Sequence, residues 1–184
     1  MSVAAVELFY ALLAVVAQVF IVGVVVVRAL AIGSERARRS YAGFARAIAP
    51  NALTAAWVVA ALATAGSLYF SEVAHFEPCR LCWYQRIAMY PLVVVLAIAA
   101  ARRDRSVVPY AIALAGMGAA IATYHVGLEW IPALDTGSCD ALAPCTVVWF
   151  RELGYISLPV LALTAFLSII TVLSVRTDDR RSLG

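Results

Sequence analysis

The sequence predicts an all-α protein that is integral to a membrane. Of its 184 residues, 64% are hydrophobic and 14% are charged, a composition far more apolar than that of soluble domains. Five stretches reach the roughly 20 apolar residues that cross a bilayer as a helix. None of them alternates with the period of two that membrane β-strands need. The stretches lie at approximately residues 4–27, 52–71, 83–101, 107–126 and 155–175.

The first stretch is expected to be a membrane helix that is not cleaved. The residues from Met1 to Glu7 carry no Lys or Arg, and the apolar run that follows is too long for the core of a signal peptide. Gln18 lies within this run. Its amide either faces a neighbouring helix or is a lone polar group that the segment tolerates.

The arginines predict the orientation of the five helices. All 14 basic residues are arginine, and most follow the first, third and fifth stretches, which would share one side of the membrane. The positive-inside rule places these clusters in the cytoplasm, with the N-terminus outside and the C-terminus inside. This pattern accounts for the basic excess without any nucleic-acid partner. The clusters are Arg28, Arg36, Arg38, Arg39 and Arg46; Arg102, Arg103 and Arg105; and Arg176, Arg180 and Arg181.

The connecting segments follow from the same topology. Residues 28–50 form a cytoplasmic connector that is partly helical, and Asn51 is expected to cap the second helix. The turn at 102–106 is tight, so the third and fourth helices should be antiparallel neighbours. The outer loop at 127–154 contains an apolar patch over 147–153, which suits either an interfacial helix or a loop packed on the bundle. We therefore divide the chain into residues 1–50 and residues 51–184.

All four cysteines occur as two pairs in the predicted outer loops, where disulfides persist. Cys79 and Cys82 form a CxxC motif, and Cys82 lies at or near the first turn of the third helix. The positive end of the helix dipole favours a thiolate there. Arg86 follows by four residues and so shares a helical face with Cys82. Arg86 is either a membrane-interface anchor or part of a site where a thiolate meets an electron acceptor.

The cysteines of this sequence allow other interpretations. One or both pairs could be structural disulfides, and four thiolates could hold zinc, although the pairs lie in separate loops. Covalent haem attachment requires a His after the second Cys of the motif, whereas residue 83 is Trp. A transporter is not indicated, because no charged residue lies in the middle of a predicted span.

Two segments carry a family resemblance. Residues 66–72 (GSLYFSE) and 78–91 (PCRLCWYQRIAMYP) closely resemble the DsbB family of disulfide bond formation proteins, nearest its short BdbC-type branch. Residues 124–129, 144–146 and 154–159 look similar to that branch too, so the resemblance covers roughly residues 51–175. It implies a four-helix bundle in the bacterial cytoplasmic membrane. This bundle would reoxidise an extracytoplasmic thioredoxin-like thiol oxidase of the DsbA or BdbD type and pass the electrons to a quinone, ubiquinone or menaquinone.

The resemblance also implies roles for the first cysteine pair and its surroundings. Cys79 and Cys82 match the pair that faces the quinone, with Cys82 adjacent to it. Arg86 matches a residue of the quinone site, and His125 matches a histidine that the family places near the quinone.

The loop pair matches the cysteines that meet the partner. By order, Cys139 would form the mixed disulfide and Cys145 would resolve it. Trp83 and Tyr84 are second-rank quinone contacts, because interfacial aromatics need no functional role. No metal is expected.

Two departures from the family pattern bear on these expectations. The helix at 4–27 has no counterpart in the four-helix bundle, so the resemblance implies no role for it. The loop cysteines are six residues apart, as in the short branch.

Two alternative functions stay open on the sequence. One is a quinone reductase similar to vitamin K epoxide reductase, although the CxxC of that class follows the loop pair instead of preceding it. The other is a non-catalytic scaffold braced by disulfides.

Overall fold

The architecture is a bundle of apolar helices, seen in a computed structural model that describes residues 2–135, 137, 139 and 144–175. Within these residues there is no β-strand, although Glu152 and Ile156 form an isolated bridge. Short 3₁₀ turns occupy Ala49–Asn51, Arg105–Val107 and Pro132–Leu134. The α-helices are α1 (Val3–Gly33), α2 (Glu35–Ile48), α3 (Ala52–Leu68), α4 (Arg80–Arg102), α5 (Val108–Trp130) and α6 (Leu158–Leu173).

The predicted fold class is confirmed by these helices. Four helical stretches in the described part of the chain are long and apolar enough to cross a membrane: Val3–Gly33, Glu35–Val73, Arg80–Arg102 and Arg105–Trp130. The remaining apolar helix, α6, has 16 residues, about 24 Å at 1.5 Å per residue. The count of five spans and their orientation stay predictions. The arginines of the third cluster, Arg176, Arg180 and Arg181, lie outside the described residues.

The connector after α1 is helical over most of its length. Ser34 caps α2 by accepting a hydrogen bond from the Ala37 amide at 3.4 Å, and the guanidinium of Arg28 lies over the Tyr41 ring at 5.6 Å. Asn51 takes the N-cap position of α3, as predicted, but it does not cap the helix through its side chain. A 3₁₀ turn carries the backbone directly into α3, and the Asn51 side chain makes no capping hydrogen bond.

Helices α3 to α6 pack through small side chains. Lipid provides no hydrophobic force between helices, so alanines and glycines that let backbones approach closely stabilise such packing. A Cβ on Gly118 would lie 2.2 Å from the Phe166 ring, which shows how tightly α5 and α6 meet. The turn after α4 is short, as predicted, and α4 packs beside α5. The buried core includes Ala56, Ala60, Ala88, Leu92, Leu96, Ala115, Ala119, Ala122, Phe166 and Ile169.

Helix α1 packs on α6 at the edge of this bundle. The Gln18 amide donates to Thr164 Oγ1 at 3.0 Å, and the Tyr155 hydroxyl donates to Gln18 Oε1 at 2.6 Å. Gln18 therefore faces a neighbouring helix and both ends of its amide are satisfied. The apolar patch over 147–153 forms no helix; it is a loop packed on the bundle through buried Phe150.

The close approach at Gly118 predicts a pair of substitutions with opposite effects. Gly118→Ala should lower the free energy of unfolding by about 1–3 kcal/mol, because the new methyl group overpacks against Phe166. Gly116→Ala on the same helix meets open space and should be neutral or stabilising by up to about 1 kcal/mol. Denaturant titration in detergent measures both; equal stability of the two variants would contradict the packing.

Candidate active site

The CxxC motif forms the beginning of α4. Pro78 precedes the helix, and Cys79 takes the N-cap position, where its sulfur accepts a hydrogen bond from the Cys82 amide at 3.4 Å. Hydroxyl and carboxylate oxygens usually fill this role. Cys82 lies in the first helical turn, as predicted. The two sulfurs are 3.0 Å apart as free thiols, so they are placed for oxidation to a disulfide.

The local contacts favour a thiolate on Cys79. A hydrogen bond from the Cys82 thiol, followed by one from His125, lowers the pKa of Cys79 to about 4, although burial opposes the shift. The N-cap position adds the positive end of the helix dipole. The sequence interpretation assigned the dipole-stabilised thiolate to Cys82, three residues further along the helix. That assignment stays a prediction.

His125 connects the two cysteine pairs. It is buried on α5, with Nε2 3.7 Å from the Cys79 sulfur and 3.1 Å from the Cys145 carbonyl oxygen. Its Nδ1 lies 3.1 Å from Nε2 of Gln85. An amide nitrogen only donates, so with this assignment of the Gln85 amide Nδ1 is the acceptor and the proton resides on Nε2. That Nε2–H can donate to both the thiolate and the carbonyl.

The second cysteine pair packs against the first. Cys139 and Cys145 form a disulfide with Cα atoms 5.7 Å apart. Cys145 is 1% exposed, whereas Cys139 is half-buried. Both belong to a hydrophobic cluster that also contains Cys79 and Cys82. The fold therefore brings all four cysteines together, although the pairs are 57 residues or more apart in sequence.

A cavity opens on the other side of Cys82. This cavity, called the slot below, has a volume of about 270 Å³, close to the ~300 Å³ lower bound of small-molecule pockets. It lies between α1, α3, α4 and α6. Its polar groups near the cysteines come from Ser67, Glu77, Cys82, Gln85 and Arg86, and the walls beyond them are mainly apolar.

Arg86 is fixed in the wall of the slot by Ser67. Its Nε donates to Ser67 Oγ and its Nη2 donates to the Ser67 carbonyl, each at 3.1 Å. Ser67 Oγ also lies 3.2 Å from the Tyr90 hydroxyl. A guanidinium held in this way is a preorganised donor for a developing negative charge. Cys82 and Arg86 both line the slot, in agreement with their predicted helical register.

A smaller cavity of about 200 Å³, the thiol cavity, lies on the Cys79 side. His125, Glu77 and Glu129 line it together with both cysteines of the CxxC motif. Glu129 accepts a hydrogen bond of 2.5 Å from the Ser157 hydroxyl. Cys82 lines both cavities and Cys79 lines only the thiol cavity, so the motif separates the two spaces.

The remaining predicted quinone contacts lie outside the slot. Trp83 and Tyr84 are 52% and 47% exposed, and neither lines the slot. The Trp83 ring lies 5.0 Å from Arg86 Cζ, so it contacts the site indirectly. His125 lines the thiol cavity and not the slot. Their assignments as quinone contacts stay predictions.

Two residues of the site were missed by the sequence interpretation. Gln85 is a buried amide one turn after Cys82, and Ser67 holds Arg86 from α3. A signal existed for Gln85, because an amide beside an arginine in an apolar helix needs a partner. No local signal distinguishes Ser67 from other small residues of α3.

The dithiol state also offers metal ligands. The ligand atoms of Cys79, Cys82 and His125 lie within 4.8 Å of one another. Two thiolates and an imidazole are ligands that Zn²⁺ takes in proteins. The expectation that no metal resides here is a prediction.

Comparisons with known proteins agree on one family. The family model described as "Disulfide bond formation protein DsbB" matches residues 49–175. Disulfide bond formation protein C of Bacillus subtilis is 45% identical over 119 residues, 64% of this chain and 86% of that protein. Probable disulfide formation protein C of Bacillus cereus is 44% identical with the same coverage.

A third relative is matched over a longer region. Probable disulfide formation protein of Oceanobacillus iheyensis is 40% identical over 138 residues, 73% of this chain and 95% of that protein. No solved structure matches the chain.

The lowered pKa of Cys79 predicts its reactivity. Because the thiolate persists as the pH falls, alkylation of Cys79 should stay fast at neutral pH and decline only as the pH drops through about 4. His125→Ala should move this decline to higher pH, since it removes a donor to the thiolate. His75→Ala, at an exposed histidine in a loop, is the matched control. Mass spectrometry follows the labelling; a wild-type midpoint near the ordinary value of 9.0 would contradict the assignment.

The Gln85 contact predicts the tautomer of His125. The wild type should carry the imidazole proton on Nε2, because the Gln85 amide donates to Nδ1. Gln85→Glu should place a proton on Nδ1, since a carboxylate only accepts, while the Cys145 carbonyl still accepts from Nε2–H. ¹⁵N NMR of labelled histidine distinguishes the tautomers, with exposed His75 as the reference signal. An Nδ1 that stays without a proton in the variant would show that residue 85 does not control this nitrogen.

Proposed function

Because the chain belongs to the DsbB family and is therefore a disulfide-forming membrane oxidoreductase, we propose that it transfers electrons from a thiol partner to a membrane quinone. The partner is an extracytoplasmic thioredoxin-like thiol oxidase, and the quinone is ubiquinone or menaquinone. The membrane is the bacterial cytoplasmic membrane, with the cysteine loops on its outer side. Residues 51–184 carry this function, and residues 1–50 are an addition to the family bundle.

One observation carries the proposal: all four cysteines meet in a single cluster at one end of the slot. Oxidation of a dithiol to a disulfide releases two electrons and two protons, so it needs an acceptor within reach. The cluster provides a chain of exchange partners, and Cys82 faces the cavity where an acceptor fits. A scaffold braced by disulfides does not require that the two pairs share one cluster.

The difference in exposure between the loop cysteines supports separate roles. Cys139 is the more exposed of the two, so the partner thiolate attacks Cys139 and Cys145 leaves as a thiolate. The partner's other thiol then attacks the partner sulfur that is bonded to Cys139, and Cys139 leaves as a thiolate. The partner becomes a disulfide and the loop pair becomes a dithiol.

Exchange between the pairs follows from the position of His125. Cys145 attacks the sulfur of Cys79, and Cys82 leaves as a thiolate on the slot side. Cys139 then attacks Cys145, and Cys79 leaves as a thiolate that the His125 Nε2–H and the N-cap position stabilise. The result is a loop disulfide with two free thiols in the CxxC motif, the combination present in the structure.

The residues of the slot fit a quinone. A quinone has polar oxygens on a flat ring and, in membranes, an apolar tail, whereas the slot has Arg86 beside Cys82 and apolar walls beyond. Arg86 would hold a ring oxygen, and Cys82 would be the sulfur nearest to it. A bound quinone supplies the sink for the two electrons and two protons. Glu129 lines the thiol cavity with both cysteines, so its carboxylate is placed to accept a thiol proton.

Reconstitution with a reduced thioredoxin-like oxidase and a quinone tests the proposal. Cys82→Ser should abolish quinone reduction, because the CxxC disulfide can no longer form. Quinone reduction that survives this substitution would overturn the proposed route.

Variants of Arg86 separate acceptor use from thiol exchange. Arg86→Ala should raise the KM for quinone about ten- to hundredfold, the loss expected for one charge-assisted hydrogen bond. Disulfide exchange with the partner should be retained. Arg102→Ala, at the far end of α4, is the matched control. A loss of partner exchange equal to the loss of quinone use would place Arg86 outside the proposed role.

A further inference from the structure

Helix α1 forms one wall of the slot. Tyr10, Leu13, Ala14 and Ala17 line the cavity together with residues of α3, α4 and α6. The family match begins at residue 49, so α1 lies outside the part of the chain that the family defines. A helix with no family counterpart therefore contributes to the cavity beside Cys82.

A steric fit holds α1 against α3 near the cysteines. A Cβ on Gly66 would lie 2.7 Å from atoms of the Tyr10 ring, so only glycine leaves room for this ring. The Tyr10 hydroxyl donates to the Leu62 carbonyl at 3.2 Å. These two contacts seat the Tyr10 ring between α1 and α3.

A row of aromatic rings continues from Tyr10 across the cysteine end of the slot. The Tyr10 and Phe70 centroids are 5.8 Å apart, those of Phe70 and Phe76 are 5.7 Å apart, and those of Phe76 and Trp149 are 4.8 Å apart. All four rings line the slot. The row links α1 to both loops that carry cysteines.

The slot changes in character along α1. Tyr10 to Ala17 spans seven residues, about 10 Å along the helix. Tyr10 lies near the polar end, whereas Ala14 and Ala17 face the deeper part with Val59, Ala63 and Ala165. The slot is therefore most polar beside Cys82 and mainly apolar beyond it, although Thr164 and Ser168 also line that part. A polar ring with an apolar hydrocarbon tail matches this change in character.

We propose that α1 is the wall against which the isoprenoid tail of the quinone packs, so that Leu13, Ala14 and Ala17 make this protein select quinones that carry a tail. The proposal rests on the proposed function, because it specifies the acceptor of the same site. Without α1, the slot between α3 and α6 would face lipid. The extra helix then acts as a specificity element of the acceptor site.

Two neighbouring residues of α1 provide a matched test. Ala17→Phe adds bulk inside the slot, whereas Val16→Phe adds bulk outside it, at a side chain that is 69% exposed. Quinone binding is measured in lipid nanodiscs by the quenching of tryptophan fluorescence. Neither substitution changes the number of tryptophans. The probes are a quinone ring without a tail and the same ring with an isoprenoid tail, in both the ubiquinone and the menaquinone series.

The expected result is selective. Ala17→Phe should weaken binding of the tailed quinone about tenfold and leave the tail-less quinone unchanged, while Val16→Phe binds both like the wild type. Normal disulfide exchange with the partner shows that each variant is folded. Gly66→Ala, which displaces Tyr10, should also weaken the tailed quinone, and Gly43→Ala, which meets open space, should not.

The outcomes separate this inference from the proposed function. Wild-type affinity of Ala17→Phe and of Gly66→Ala for the tailed quinone would overturn the role of α1 and leave quinone reduction standing. A wild-type protein that binds neither quinone of either series would overturn the proposed function, and this inference with it. If Val16→Phe and Ala17→Phe weaken binding of the tailed quinone equally, the effect is on the packing of α1 and not on the tail. This result would also overturn the proposed role of α1.

Discussion

The first turns of α4 are the constraint on which the site depends. Because the helix begins immediately after Cys79, this residue stays at the N-cap and faces His125, while Cys82 and Arg86 turn toward the slot. A start one residue earlier or later would rotate the side chains by about 100°. Cys79 would then no longer face His125, and Cys82 would no longer face the slot. Pro78 and the cap made by the Cys79 sulfur hold the start in place. The local geometry of one helix end thus assigns the two sulfurs to different neighbours.

Fixed partners hold the polar groups around the sulfurs. Unsatisfied polar groups are costly in a membrane interior, so each buried group needs a neighbour. Ser67 satisfies Arg86 from α3, and Gln85 and the Cys145 carbonyl satisfy the two nitrogens of His125. These contacts also tie α3, α4, α5 and the cysteine loop together. The same hydrogen bonds that make burial tolerable therefore orient the guanidinium and the imidazole for chemistry.

The sequence predicted the parts of this structure that local periodicity encodes. Apolar runs located the helices, and the four-residue spacing located Arg86 beside Cys82 in the slot wall. It did not predict the cap position of Cys79, because helix starts shift by a few residues without changing hydropathy. Nor could it predict that His125 would stand between the two cysteine pairs, since that contact joins residues 46 apart through the packing of two helices. Ser67 and Tyr10 were missed for the same reason.

The position of α1 is specified more closely than a membrane anchor requires. An anchor needs only apolar length, whereas α1 carries a half-buried amide matched to Thr164 and Tyr155 and a ring matched to the space above Gly66. The amide fixes the axial register between α1 and α6, because a shift would leave polar atoms unpaired in an apolar surrounding. Gln18 lies eight residues, about 12 Å, from Tyr10, so this register also determines where the Tyr10 ring meets α3. Tyr10 and Gly66 line the slot, as does Thr164, the partner of the amide. A helix that served only to hold the chain in lipid would need neither contact.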